Sequence, residues 1–400
     1  MKISSINPIL PKINHERKLP FKGNSNDVFE KSMTVKGSET QAKIYTTNVD
    51  YQTLNNIRNM CNHPVFSDLP IRIMPDTHAG KTGVVGFSAP TGNAGKIIPN
   101  ILGGDIGCGM LCVQIDTKGK DIDFKKLDDV IRNYISSERK TLPESLRKIP
   151  PSFIKRVENI TSKKFKHRPD KISSSLGTIG GGNHFIEIDK DKKGNHYLVI
   201  HTGSRLFGKE VSDYHQSIAE RQNPYKIKDL SYLSGDEAKQ YIEDMNLALN
   251  FSKYNRRSIA DEIISQMGWS EISSFESLHN YISSDGMIRK GAICADKGKE
   301  LIIPLNMRDG AILGTGKGNP DWNSTAPHGS GRQLKRSEVK QTVPFEEYKK
   351  SMEGIYSTCV TPSTISESPQ AYKNSSEIID NIQDSVKVNE IITPVYNFKD

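Results

Sequence analysis

From Pro75 to Met110 the chain is dense in glycine and shows almost no helical periodicity, and short segments full of glycine, asparagine or serine return around four histidines further along. Glycine lets a backbone take positive φ and approach a ligand closely, so such segments build ligand loops rather than packed helices. A fold with this much irregular backbone must hold it on regular elements at either side, and the remaining sequence supplies them. Lys43–Val49 and Ile71–Met74 read as short strands, with a helix over Tyr51–Met60 between them. Val113–Ile115 reads as a strand leaving the glycine-rich region.

Phe124, Leu127, Val130, Ile131, Tyr134 and Ile135 recur on one face of a helix expected over Phe124–Glu138. Phe185–Ile188 and Tyr197–Ile200 read as two strands joined by the turn-forming run DKDKKGN. Asp236–Met267 is the longest helical candidate, led in by Ser231–Gly235. Short strands are expected at Leu301–Pro304 and Ala311–Leu313, a polar, glycine-rich loop at 317–333, and a helix over Val343–Ser351. Strands and helices mix without regular βαβ alternation and without internal repeats. The expectation is therefore an α+β fold: one large domain over residues 41–400, preceded by a flexible extension over residues 1–40.

Four hundred residues suffice for a sizeable core, and no stretch approaches the roughly 18 apolar residues of a membrane helix. The N-terminus lacks a continuous apolar run and a small-residue cleavage site, so a secretory signal is not expected. The cysteines (Cys61, Cys108, Cys112, Cys294, Cys359) are odd in number and scattered, which fits a reducing cytoplasm rather than a disulfide framework. The net charge is +8, and much of it lies between Glu138 and Lys171, where basic residues far outnumber acidic ones. Such a segment attracts phosphate backbones without reading sequence, although a solvated helical surface has the same composition.

The chemistry concentrates at the histidines. His184, His201, His279 and His328 stand in GTIGGGNHFIEI, VIHTGSRLFG, SLHNYI and APHGSGR, and DIGCGM places Asp105 and Cys108 three residues apart. A carboxylate, a thiol and several imidazoles suit one or two transition-metal ions, and a thiolate can bridge two. Any one of these histidines could equally be a hydrogen-bonded packing residue, and the donor set alone also suits zinc or iron. The glycines before Asn183 could expose N–H groups to a phosphate, but the segment is neither a Walker A loop nor a dinucleotide fingerprint.

MPDTHAGKTGVVG, DIGCGM, GTIGGGNHFIE, HTGSR, HN, RKGA and HGSGR follow one another in that order, and the series resembles the motifs of the RtcB family of RNA ligases. The likeness runs from about Ile71 to Lys399. It implies a single RtcB-like domain in which mixed sheets and surrounding helices hold a glycine-rich central metal and nucleotide site. It implies two Mn²⁺ ions held by Asp105, Cys108, His184, His201 and His279, with Cys108 bridging. It implies GTP as the nucleotide, His328 as the residue that takes GMP, and guanylate contacts at Asn183, Phe185, Glu187, Asn280, Tyr372 and Lys399.

The activity implied is the joining of an RNA 3′-phosphate or 2′,3′-cyclic phosphate end to a 5′-hydroxyl end, in tRNA splicing or RNA repair, through an RNA-ppG intermediate. A cytoplasmic monomer and an archease-like activator belong to the same expectation. The chain departs from the family at Ile288, where histidine is common, and at Pro304-Leu305-Asn306-Met307-Arg308, which replaces a PGSMG-like turn. Those departures keep two alternatives in view: an enzyme that guanylylates RNA 3′ ends but seals weakly, and a non-catalytic RNA-binding relative.

Overall fold

The computed structural model describes residues 31–80, 82–92, 95–136, 146 and 148–399. Three sheets carry the fold. The first is six-stranded, in the order β1(Met33–Lys36), β2(Gln41–Ile44), β3(Ile71–Ala79), β4(Val84–Pro90), β10(Met287–Lys290), β9(Asn280–Ile282). The second pairs β11(Ala292–Cys294) with β14(Thr325–Pro327). The third is seven-stranded, in the order β12(Glu300–Asn306), β13(Gly310–Gly316), β15(Val386–Phe398), β6(Phe185–Lys190), β7(His196–Thr202), β5(Gly109–Asp116), β8(Ser270–Leu278). Nearly all pairs are antiparallel; β2 and β3 run parallel. Helices pack around these sheets, and the architecture is α+β within one unit from Lys31 to Asp400.

Local chemistry explains the helix boundaries. Asp50 caps the helix Tyr51–Cys61, its carboxylate accepting from Thr53 N at 3.0 Å and from Thr53 Oγ1 at 2.6 Å. Asp123 caps Phe124–Tyr134 in the same way, and Leu127, Val130 and Ile131 on its expected apolar face are buried. The 33-residue helix Gly235–Met267 stops at Gly268, whose φ of +71° is a left-handed terminus.

The structure departs from the sequence reading at several places. Although the extension is expected to run to residue 40, Met33–Lys36 forms β1 and pairs with β2; residues 1–30 lie outside the described residues. The strand expected over Lys43–Val49 is Gln41–Ile44, and the chain beyond it turns toward the Asp50 cap. Within Pro75–Met110 the glycines do not prevent pairing: β3 continues to Ala79 and β4 returns beside it. Strand β8, strand β15 and the helix Arg205–Gln222 are present although the sequence reading above places no element there; the helix repeats Phe207, Val211, His215 and Ala219 at helical spacing on its buried face. The end of the Phe124–Glu138 expectation and part of the basic segment (137–145 and 147) fall outside the described residues. No helix among the described residues is long and apolar enough to cross a membrane.

Candidate metal and nucleotide site

The register of the large sheet brings the histidine segments together. In its middle, β7 pairs with β5 through Met110–His201 and with β6 through Phe185–His201, while Gly109 on β5 faces Leu278 on β8. Cys108 immediately precedes Gly109, His184 precedes Phe185, and His279 follows Leu278. Four side chains far apart in sequence therefore leave the same end of four neighbouring strands. The His279 N–H extends the ladder by donating to the Cys108 carbonyl at 3.0 Å.

Their donor atoms converge. Cys108 Sγ lies 3.2 Å from His201 Nε2 and 3.5 Å from His184 Nε2, and His201 Nε2 lies 3.4 Å from His279 Nε2. Asp105 Oδ2 is 3.3 Å from His184 Nε2. Cys108, His184 and His201 are all buried, with ligand atoms within 4.8 Å of one another. The Nδ1–H of His201 donates to the Asn183 carbonyl at 3.1 Å, which leaves its Nε2 lone pair directed at the other donors. His184 is held from behind by the Ile179 carbonyl at 3.0 Å and by the Arg205 guanidinium.

Lone pairs facing one another at these distances repel unless a cation lies between them. A thiol, a carboxylate and three imidazoles are also the donor types that transition metals select, so the residues fit such an ion. Burial, reinforced by neighbouring His184, holds His201 well below its usual pKa. Burial does the same to His279, reinforced by His328 and His201. Both imidazoles are thus neutral, the form that binds metal. For Asp105 burial works against ionisation, but His184, the Cys108 hydrogen bond and the Lys290 charge together outweigh it and keep the carboxyl acidic. Burial and the Asp105 charge push the Cys108 thiol up; a bound cation would reverse that balance.

His328 follows β14, and its ring lies 4.7 Å from that of His279 between centroids. Its Nδ1–H donates to Asp76 Oδ2 at 2.6 Å, and its backbone N–H donates to the same oxygen at 3.2 Å. Asp76 is fully buried on β3, within the register irregularity between Ile73 and His78. This close approach depends on Gly331, at φ +72°, where a Cβ would lie 2.0 Å from the Asp76 carbonyl oxygen. Gly203 is constrained in the same way, because a Cβ there would lie 2.2 Å from Asp105 Oδ1.

A cavity of about 1120 Å³ opens beside these groups. Its lining includes Asp105, Cys108, His201, His279 and His328, together with Asn183, Phe185, Glu187, Asn280, Tyr372 and Lys399. His184 sits behind that wall. Glu187 is buried and accepts from Asn397 Nδ2 at 2.5 Å, and burial pushes its carboxyl pKa up. Lys399 Nζ lies 5.7 Å from the Phe185 ring centre and donates to Glu367 Oε2 at 3.3 Å. Tyr372 donates to the same oxygen at 2.7 Å. The Asn280 amide braces two turns, donating to the Asp105 carbonyl and accepting from Gly291 N, each at 3.0 Å. Of the departures from the family pattern, Ile288 is buried between β4 and β9, whereas Pro304, Leu305, Asn306 and Met307 line the cavity.

Sequence reasoning missed several of the groups that hold this arrangement. Asp76 stands in MPDTHAGK, but only the tertiary pairing shows that its carboxylate meets His328. Glu367 gathers Lys399, Tyr372, Arg332 and Arg336 and gave no signal of its own. His78 lines the cavity, with Nδ1 fixed 3.0 Å from the Asp76 carbonyl, and burial lowers its pKa to about 4. Asn255 and Arg256, inside the long helix, brace the loops from below. Asn255 accepts from Gly177 N and Thr178 N and donates to the Gly203 carbonyl. Arg256, with no exposed surface, donates to the Gly107 and Thr202 carbonyls at 2.8 Å and pairs with Glu276.

The sequence is similar to those of several known proteins. The chain is 26% identical to the RNA-splicing ligase RtcB of Escherichia coli (strain K12) over 360 aligned positions, covering 80% of this chain and 87% of that protein. It is 28% identical to RtcB2 of another Escherichia coli strain over 76% of this chain and 81% of that protein. The tRNA-splicing ligase RtcB of Archaeoglobus fulgidus is 27% identical, over 77% of this chain and 82% of its own length. Residues 56–400 match the family described as tRNA-splicing ligase RtcB. With its motif series, its fold and most of its length in agreement, the chain belongs to the RtcB family.

Proposed function

We propose that the protein is an RNA ligase that joins a 3′-phosphate or 2′,3′-cyclic phosphate end to a 5′-hydroxyl end, using GTP and Mn²⁺, with His328 as the guanylate carrier. The observation that carries this reading is the position of His328. Asp76 holds its Nδ1–H, so Nε2 keeps its lone pair beside both the metal-binding donors and a nucleotide-sized cavity. Asp105, Cys108, His184, His201 and His279 would hold the ions, which would offset charge on phosphate oxygens.

His328 Nε2 attacks the α-phosphorus of GTP; the N–P bond forms as the bond to pyrophosphate breaks. An oxygen of the RNA 3′-phosphate then attacks the same phosphorus, the N–P bond breaks, and the imidazole is restored. A 5′-hydroxyl attacks the RNA phosphorus of the resulting RNA-ppG end, loses its proton, and expels GMP. Throughout, Asp76 fixes the tautomer and direction of the imidazole.

Guanine would be read by Glu187 and Lys399, which both line the cavity. The Glu187 carboxylate would accept from its N1–H and N2–H groups and the Lys399 ammonium would donate to O6. Phe185, Tyr372, Asn183 and Asn280 complete the enclosure. Adenine offers neither the donors nor the acceptor, and mispairing two buried polar groups costs roughly 1–3 kcal/mol each. A guanylylating enzyme with weak sealing is the second reading, favoured by the divergent Pro304–Met307 segment on the cavity wall.

The test is a ligation assay with Mn²⁺ in which two RNA end pairings and two nucleotides are crossed. Sealing of a 3′-phosphate to a 5′-hydroxyl with GTP, and not of a 3′-hydroxyl to a 5′-phosphate, is expected. Joining of the latter pair, or equal use of ATP, would contradict the proposal.

A further inference from the structure

The cavity holds more than the nucleotide chemistry uses. Its volume of about 1120 Å³ exceeds the roughly 300–1,000 Å³ of small-molecule sites, which leaves room for a strand end beside a bound nucleotide. Tyr51 and Gln52, at the start of the helix Tyr51–Cys61, line that space together with Lys335 and Arg336. Tyr51 is 82% exposed, the most exposed large hydrophobic side chain among the described residues. Packing does not account for it. The helix buries Thr53, Ile57, Met60 and Cys61, and its first turn is already fixed by the Asp50 cap.

Cations line the same cavity. Lys335 is exposed and has no ion-pair partner among the described residues; Arg336 is half exposed and touches Glu367 through one guanidinium nitrogen. An exposed ring and cations lining one cavity are the combination that holds unpaired bases and their phosphates, because every base offers a π face and every linkage a negative charge.

We propose that Tyr51 stacks on an unpaired nucleobase of the RNA end entering the cavity, while Lys335 takes a neighbouring phosphate. The inference rests on the RNA-ligase reading and assigns that site a single-strand clamp.

The experiment measures binding of a short single-stranded RNA ending in a 3′-phosphate, with 2-aminopurine as its terminal base, alongside self-labelling by α-labelled GTP without RNA. Full-length protein is compared with Tyr51→Ala and Tyr51→Phe. The wild type and Tyr51→Phe should quench 2-aminopurine fluorescence. Tyr51→Ala should lose the quench and bind roughly 5- to 150-fold more weakly, the span of one base–aromatic stack, with GTP labelling unchanged. RNA affinity and quenching indifferent to Tyr51→Ala, in protein that labels with GTP, would overturn the clamp and leave the ligase reading standing. Wild-type protein that neither labels nor binds RNA would overturn both.

Discussion

Asp76 shows how one buried carboxylate can decide what an imidazole does. Both the ring Nδ1–H and the backbone N–H of His328 donate to one of its oxygens, so the side chain is fixed in direction and in tautomer. Asp76→Asn keeps the shape but can present an N–H where the imidazole needs an acceptor. Self-guanylylation is expected to fall on the order of 10²- to 10⁴-fold, as when an orienting carboxylate is lost from a comparable nucleophile pair, with little change in bound metal. A labelling time course together with metal analysis checks this, and near wild-type labelling would remove Asp76 from the mechanism. Cys108 makes a complementary case, since its sulfur touches both His184 and His201. Cys108→Ala should reduce metal content and labelling together, whereas Cys112→Ala should spare bound metal, because Cys112 is buried among Met110, Phe185, Val199 and Ile302. Equal metal loss in the two variants would contradict the assignment.

Between elements, the site is held by two adjacent residues of the helix Gly235–Met267 that never reach the cavity lining. Asn255 satisfies the backbone of the loop leading into GGGN, and Arg256 satisfies the turns containing Gly107 and Thr202. Asn255→Ala strands several buried backbone groups, each worth about 1–3 kcal/mol. The variant should unfold at lower temperature and label more slowly although no ligand or nucleophile has changed; unaltered thermal unfolding would show that the brace is dispensable.

This level of organisation is also where the sequence ran out. The candidate ligands were legible because each stands in a short motif rich in glycine, asparagine or serine, and their order along the chain pointed to the family. Asn255 and Arg256 were not, since inside a helical pattern a buried asparagine or arginine looks like any solvated one. Strand β15 was hidden for a related reason. Its burial is irregular along Val386–Phe398, with register shifts against both neighbours, so no clean alternation marks it. Within Pro75–Met110 the glycines masked β4, which is held in a ladder by partners that only the tertiary fold provides.

At the scale of the whole molecule, the excess positive charge has a definite location. The helix Pro151–Lys164 buries Phe153, Val157 and Thr161 and exposes Lys155, Arg156 and Lys163, and the chain beyond exposes Lys166, Arg168 and Lys171. Two acidic residues anchor this segment to the body: Asp244 meets Lys164, and Glu210 meets His167. Reversing Lys155, Arg156 and Lys163 to glutamate should weaken RNA binding and flatten its dependence on salt, by about one unit of log–log slope for each phosphate that is no longer neutralised. Labelling by GTP without RNA should not change. An unaltered salt slope would mean that the face is only solvated surface.

Every expectation about labelling depends on a covalent guanylate at His328. The most direct measurement incubates the full-length protein with Mn²⁺ and α-labelled GTP, resolves it on a denaturing gel, and compares it with His328→Ala. The account predicts label that stays with the wild-type chain, is lost in acid and survives base, as a phosphoramidate does, and is missing from the variant. A wild-type chain that takes no label, or a His328→Ala chain labelled as strongly as wild type, would contradict it.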